Sequence, residues 1–435
     1  MITSPTFANR KFALLGLARS GLAAARSLHA GGAELLAWDN NEAAREQVTD
    51  IATIADPLEA DLHGYDGIVV SPGVPINTHP IAEKARAQGV PLIGDIELFA
   101  MARADLPPHR VIGITGTNGK STTTALVHHL LRSAALPTRM AGNIGLPILS
   151  LAPLAAGGVY VLELSSYQLD LTYSLACEAA ALINLSPDHL NRYNGYEDYI
   201  ASKARLFDMQ TPKQHSVFGE GDADTMRIYQ NVLAKRGAKV VHLAETANVH
   251  GQADWASLQG PHNLQNVAVA VALVEALGIR EAQWRPALNT FKGLAHRMEV
   301  VAERNGVLFV NDSKATNPAS TAPALAAYPR VHWIVGGLAK GEDLNECAPN
   351  FGHVVKAYTI GEAGPLFSKL LLPHMPVERC EMMGSAVHSA FSQAESGDVV
   401  LLSPACASFD QFKDFEARGD AFKAIVEALE TGIGP

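Results

Sequence analysis

Short apolar runs alternate with longer Ala/Leu-rich stretches along most of this chain. KFALLGL, AELLAWD, GIVVSPG and VPLIGD read as strands, each closed by a Gly, Asp or Ser-Pro-Gly break. Strands of this kind separated by helical stretches are the pattern of parallel α/β units. The pattern stops at ARADLPPHR and restarts with VIGIT, which predicts a boundary near residue 107. VIGIT, VYVLEL and AALINLS follow as strands, and a mixed stretch then runs through HNLQNVAVAVALVEALG. A third restart near Met298 carries VLFVNDS, VHWIVGG, VVKAYTIG and DVVLLSPA. The prediction is an α/β chain of three domains, at 1–107, 108–297 and 298–435. Polar or glycine residues lie just past each strand of the third section, where parallel sheets place their ligands.

Composition supports this reading. At about 150 residues per domain, 435 residues suit three domains, and 48% hydrophobic residues supply several cores. A net charge of −10 argues against a general nucleic-acid or anionic-membrane binder while leaving room for local basic pockets. Cys177, Cys347, Cys380 and Cys406 have no metal-ligand spacing and read as reduced thiols of an intracellular protein. The N-terminal apolar run from Phe12 to Leu17 ends in a glycine turn and reads as a strand, not a signal peptide. The closest approach to a membrane span, VAVAVALVEALG, is broken by Glu275. A cytoplasmic protein is expected.

The strongest chemical signal is GITGTNGKSTTT, residues 113–124, directly after an apolar strand. Gly116 and Gly119 let backbone N–H groups approach phosphate oxygens. Lys120 offers charge to the β- and γ-phosphates, and Ser121 or Thr122 can place a hydroxyl on Mg²⁺. A helix starting near Ser121 would aim its N-terminal dipole at the same anions. The spacing departs from GxxxxGK[ST], since Ile114 stands where the first glycine belongs. A capped glycine turn is the plainer alternative.

A phosphate loop working through Mg²⁺ needs a carboxylate at a neighbouring strand end. Glu163 closes VYVLEL, 43 residues after Lys120. Asp188-His189, in SPDHLNRY, follows the next strand and could contact a second metal or a substrate. Asn263 and Asn266 are three apart at the start of an apolar helix, where either capping by Asn263 or amide recognition of a base or phosphate is possible. Arg297, in AHRMEVV, could reach a phosphate. Near the N-terminus, GLARSG resembles a dinucleotide fingerprint with Ala18 in place of its second glycine, and Asp39 closes the next strand. That leaves NAD, another diphosphate nucleotide or a tight turn open, although a second, ATP-type loop would be unexplained in a dehydrogenase.

Taken together, TGTNGKS, ELSS, SPDHLNRY, HNxxN, HR and NDSKATNPAST resemble the Mur ligase family, in order and approximate spacing, over nearly the whole chain. GDIELF (94–99), GNIGLP (142–147), ELSSYQLD and SPACASFDQFKDFEARG (403–419) resemble its members that join D-glutamate to UDP-N-acetylmuramoyl-L-alanine. The resemblance implies a Rossmann-like UDP-binding domain, a P-loop-type ATP-binding domain and a Rossmann-like glutamate-binding domain. ATP and two Mg²⁺ are the implied cofactors, and a monomer is expected. Arg19, Ser20, Asn40, Ser71 and Asn143, with His189, are implied to lie along the UDP substrate. Gly116, Thr117, Asn118, Gly119, Lys120, Ser121, Thr122, Asn266, Arg297 and Asp312 are implied ATP contacts. Glu163, His189 and Ser121 are implied Mg²⁺ ligands, joined by Lys203 if it is carbamylated. Lys314 is implied at the phosphates or acyl group, and Thr316, Lys340, Ser408 and Phe415 at the two carboxylates of glutamate. By its residues alone Lys203 reads as a solvated helix lysine, and Ser408 as the cap of a helix beginning near Asp410. A same-fold ligase preferring L-glutamate and a dinucleotide-binding redox or regulatory protein remain as alternatives.

Overall fold

A computed structural model describes residues 1–429; residues 430–435, the end of the third predicted domain, lie outside it. Every run read above as a strand forms one. In the first sheet β1 (Lys11–Leu15), β2 (Glu34–Trp38), β3 (Thr53–Ile54), β4 (Gly67–Val70) and β5 (Leu92–Ile93) stand in the order 3-2-1-4-5, all parallel. The second contains β6 (His109–Thr115), β7 (Thr138–Gly142), β8 (Gly158–Glu163), β9 (Ala179–Leu182), β10 (His215–Gly219) and β11 (Val241–Ala244), ordered 11-10-9-6-8-7 and again parallel. The third contains β12 (Glu299–Arg304), β13 (Val307–Asn311), β14 (Val331–Gly336), β15 (Val354–Ile360), β16 (Val377–Glu381) and β17 (Val399–Leu402), ordered 12-13-17-14-15-16. Only its edge strand β12 runs antiparallel, against β13.

The central strands are largely apolar because helices cover both of their faces. β8, β9, β14 and β17 are buried at every position. In the third sheet, alternate residues feed two separate cores. Trp333, Val335 and Leu401 enter one, while Ile334, Val400 and Leu402 enter the other. The strands that the apolar pattern does not mark are mostly edges: β3, β7, β11, β12 and β16. An edge strand is covered on fewer sides and tolerates polar residues, as EVVAER and VERCE do.

The chain packs as two compact units. One comprises Met1–Asn248 with Gln265–Ala287, and the other Val249–Leu264 with the chain from Leu288 on. Within the first unit a single core runs through both sheets, from Phe12 and Phe99 to Tyr160 and Leu182. The helix Asp95–Ala102, from GDIELF, joins them. Phe99 meets Tyr160 edge-on at 5.2 Å, and buried Glu97 accepts the N–H groups of Tyr173 and Ser174 and the Ser174 hydroxyl.

Candidate active site

In the first unit, β6 delivers the phosphate loop between the ends of β8 and β9. The loop is tied to the segment after β9, with Thr117 N–H donating to Asn184 O (2.9 Å) and Asn118 N–H to Asn184 Oδ1 (2.8 Å). Gly119 has φ +80° and precedes a helix, Lys120–Ser133, that begins one residue earlier than expected. A side chain at 119 would collide with the Asn266 amide, whose Oδ1 also accepts the Thr123 hydroxyl (3.2 Å). Asn266 is therefore packed against the phosphate loop. Ser121 and Thr122 lie in the helix's first turn, where backbone N–H groups lack intrahelical acceptors. Asn263 lies inside the helix Pro261–Ala276, not at its cap, and its amide donates to Gln259 O.

Two lysines converge on the loop. Lys120 Nζ donates to Gly116 O (2.9 Å) and Thr117 O (2.7 Å), while Lys203 Nζ donates to the same Gly116 O at 2.8 Å. Lys203 is only 1% exposed, which corrects the solvated reading. Burial, then the charge of Lys120, holds its ammonium well below the usual lysine range. The helix Tyr196–Asp208 carries it, with Tyr199 one turn earlier on the same face. The Tyr199 ring lies 4.7 Å from Lys203 Nζ and its hydroxyl 3.0 Å from Thr117 Oγ1. Sequence reasoning missed Tyr199; its i,i+4 spacing to Lys203 was the available signal.

Glu163 ends β8 beside Ile114 of β6 and is 2% exposed. Its Oε1 accepts the Asn143 amide (2.8 Å), but Oε2 is buried without a hydrogen-bond partner. An orphaned carboxylate oxygen at a phosphate loop fits a divalent cation, because burying it unpaired is costly. Among the described residues no group of three or more His, Cys, Asp and Glu side chains could hold a metal. The remaining donors have to be hydroxyls, a modified lysine or ligand oxygens. His189 follows β9 in a left-handed conformation (φ +54°), half-exposed, its ring 5.1 Å from that of Tyr167. Burial lowers its pKa, favouring the neutral imidazole that a metal or hydrogen-bond donor requires.

The loops after β1 and β4, at the switch point of the first sheet, enclose a cavity of about 450 Å³. Arg19, Ser20, Ser71 and Asn143 line it together, and Arg19 donates to Gly145 O (2.7 Å). Asn40 lines a second cavity of about 370 Å³, with Trp38, Asp56 and His79. Asp39 spends its carboxylate on the N–H groups of Leu17 (2.6 Å) and Asn41 (2.8 Å), which makes it a brace for the turn. Asp95, absent from the sequence-derived set, reaches the larger cavity and is raised to about 6 by burial.

In the second unit the expected residues follow β13, β14 and β17, which are adjacent in the sheet. Lys340 Nζ reaches Thr316 Oγ1 (3.3 Å), and Lys314 Nζ lies 4.4 Å from the Phe415 ring. Asp312 is buried, accepts the Ser403 hydroxyl (2.8 Å) and is raised to about 7 by burial, against the opposing charge of Arg297. Arg297 Nε is buried without a hydrogen-bond partner. The helix of the last motif starts at Phe415, capped by Asp414, and not near Asp410, so Ser408 is not its cap. The backbone just before Ser408 is held by buried Arg418. Its guanidinium donates to Cys406 O, Ala407 O, Ser313 O and Ser313 Oγ. Sequence reasoning missed Arg418, because an arginine in a helix reads as surface.

Two family models match the chain, the Mur ligase middle domain over residues 114–274 and the Mur ligase, glutamate ligase domain over 296–406. The UDP-N-acetylmuramoylalanine–D-glutamate ligase of Novosphingobium aromaticivorans is 66% identical over 429 residues, covering 99% of this chain and 97% of the relative. That of Sphingopyxis alaskensis is 54% identical, covering 99% and 100%. Among solved structures, the MurF ligase of Thermotoga maritima in complex with ADP has a TM-score of 0.56 at 16% identity, covering 98% and 97%. The UDP-N-acetylmuramate-alanine ligase of the same organism also has a TM-score of 0.56 at 16% identity, covering 97% and 100%. With these matches spanning the phosphate loop and the three sheets, the chain belongs to the Mur ligase family.

Proposed function

We propose that this protein joins D-glutamate to UDP-N-acetylmuramoyl-L-alanine at the expense of ATP, in the cytoplasm, as a monomer. The observation that carries the reading is the phosphate loop with a partnerless Glu163 oxygen and two lysines on one carbonyl beside it. The choice of D-glutamate rests on the names of the full-length relatives. Three domains, 1–107, 108–297 and 298–435, take the UDP substrate, ATP and glutamate respectively.

A carboxylate is a poor acyl donor because oxide would have to leave. Its oxygen attacks the γ-phosphorus of ATP, the bond from that phosphorus to the β,γ-bridging oxygen breaks, and ADP departs. The glutamate amine, having lost a proton, then attacks the acyl carbon. The adduct loses a second proton from nitrogen, and the tetrahedral intermediate collapses with cleavage of the carbon–oxygen bond to phosphate, releasing inorganic phosphate and leaving the amide. Glu163, His189, Ser121 and a carbamylated Lys203 would hold two Mg²⁺, which would offset charge on the transferring phosphoryl group. Gly116 to Ser121 cradle phosphates with Lys120, and Asn266, Arg297 and Asp312 orient ATP. Arg19, Ser20, Asn40, Ser71, Asn143 and His189 line the UDP substrate. Lys314 stabilises the acyl phosphate, and Thr316, Lys340, Ser408 and the Phe415 N–H bind the glutamate carboxylates. Burial of Lys203 supports the carbamate: a neutral amine adds to CO₂ to give N–COO⁻ and a released proton, whereas an ammonium cannot.

The test is phosphate release from ATP and Mg²⁺ with UDP-N-acetylmuramoyl-L-alanine and each glutamate enantiomer. Release with D-glutamate and little with L-glutamate is expected. Equal or greater release with L-glutamate overturns the stereochemical assignment, and no release with either overturns the function.

A further inference from the structure

We infer that Arg192 is a positioning residue for the UDP-substrate site, holding the wall between the two cavities of the first unit and the His189 loop as one body; this rests on the function proposed above. Gly73 and Val74 line both cavities, as Gly16 and Asp39 also do, so the turn after β4 forms part of the partition between them. The turn closes on itself through Val74 N–H to Ser71 O (2.9 Å) and Ile76 N–H to Val74 O (3.0 Å), and Pro72 has no N–H to add.

Its three successive carbonyls are gathered by one side chain. Arg192 Nη2 donates to Pro72 O (3.3 Å) and Val74 O (2.9 Å), and Nη1 to Gly73 O (3.3 Å). A planar fork can serve three acceptors in this arrangement, which a lysine ammonium on a flexible stem cannot reproduce. The face of the guanidinium lies 4.1 Å from the Tyr167 ring centre, and that ring in turn packs at 5.1 Å on the ring of His189. The backbone repeats the link. Arg192 ends the single turn Leu190–Arg192 that starts at His189, and its N–H donates to His189 O (2.8 Å). Asn77 adds a second tie across the same gap, to Asn191 O (3.4 Å). The loop bearing His189 and the partition of the UDP-substrate cavities are therefore fixed to each other through Arg192, and a shift in one is passed to the other.

The experiment compares wild type with Arg192→Met, Arg192→Lys and Arg192→Ala in the intact protein, by steady-state kinetics and by amide hydrogen exchange of residues 71–79. Expected for Arg192→Met is a rise of about tenfold in KM for UDP-N-acetylmuramoyl-L-alanine, with KM for ATP and D-glutamate within about twofold of wild type and faster exchange in 71–79. Arg192→Lys should behave like Arg192→Met, and guanidinium ion at non-denaturing concentration should partly restore Arg192→Ala. The inference is overturned if exchange and KM are unchanged, if Arg192→Lys is fully active, or if all three KM values rise together with a fall in Tm. If wild type does not turn over the UDP substrate, the functional reading fails, and hydrogen exchange still decides whether Arg192 holds the partition.

Discussion

Lys120 and Lys203 donate to one carbonyl, Gly116 O, so two ammonium groups sit where one is electrostatically comfortable. Turning one of them into a carbamate removes the repulsion and supplies an anion beside a phosphate loop. Lys203→Ala should lower kcat by at least about a hundredfold, within the range for a group that stabilises developing charge, and a short-chain carboxylate should restore part of it. Full activity in the variant would remove the carbamate. Gly119 offers a second test at this scale, because its φ of +80° and the adjacent Asn266 amide leave no room for a side chain. Gly119→Ala should weaken ATP binding by about tenfold or more through backbone strain of ~1 kcal/mol or above, measured by titration with a non-hydrolysable analogue. Neither environment was visible in one-letter code. The glycines and Lys120 were legible because their roles depend on local spacing, whereas burial of Lys203 depends on what a helix 80 residues further on is packed against.

Among elements, the helix Asp95–Ala102 shows how a motif can be structural and still read as a mark of function. Glu97 accepts three hydrogen bonds from Tyr173 and Ser174 across the join of two sheets. Glu97→Ala would remove the acceptor shared by two part-buried backbone N–H groups and a hydroxyl. A loss of about 2–3 kcal/mol is expected, seen as a lower urea midpoint with an unchanged m-value. The central strands were legible because burial on both faces demands continuous apolar runs. The edge strands β12 and β16 were not, since half-exposed positions carry ordinary polar residues. The start of the last helix was misplaced for a related reason: both Ser408 and Asp414 are plausible caps, and the hydrogen bond from Ala417 N–H to Asp414 Oδ1 (2.7 Å) decides between them.

For the whole molecule, the net charge of −10 conceals sites built from buried groups of both signs. Asp312, raised to about 7, holds its proton more tightly folded than unfolded, so the fold loses stability as pH climbs from about 4 to 7 through this group. His262, lowered to about 4 by burial and then by the charge of Arg297, acts with the opposite sign, stabilising less as pH falls through the same range. The Asp312 share is isolated by comparison with Asp312→Asn. Between pH 4 and 7 the stability of wild type relative to that variant should fall by roughly 4 kcal/mol at most, read from denaturant midpoints; a pH-independent difference would contradict it. Chelation should abolish turnover, because the buried, partnerless Glu163 oxygen is placed to meet a cation at the phosphate loop; undiminished turnover with chelator present would contradict it.

By itself the sequence determined what depends on neighbours along the chain: the parallel α/β class, the apolar strands, and the phosphate loop with its glycines and lysine. A chain folds its strands and tight turns from side-chain periodicity and local backbone freedom, and both are written in order. Tertiary structure alone decided which residues became partners across long separations. It buried Lys203 under Gly116, left one oxygen of Glu163 without a hydrogen bond, and aimed Arg192 and Arg418 at backbone carbonyls distant in sequence. Desolvation and hydrogen bonding over such distances set the chemistry of these groups, and neither has a local signature.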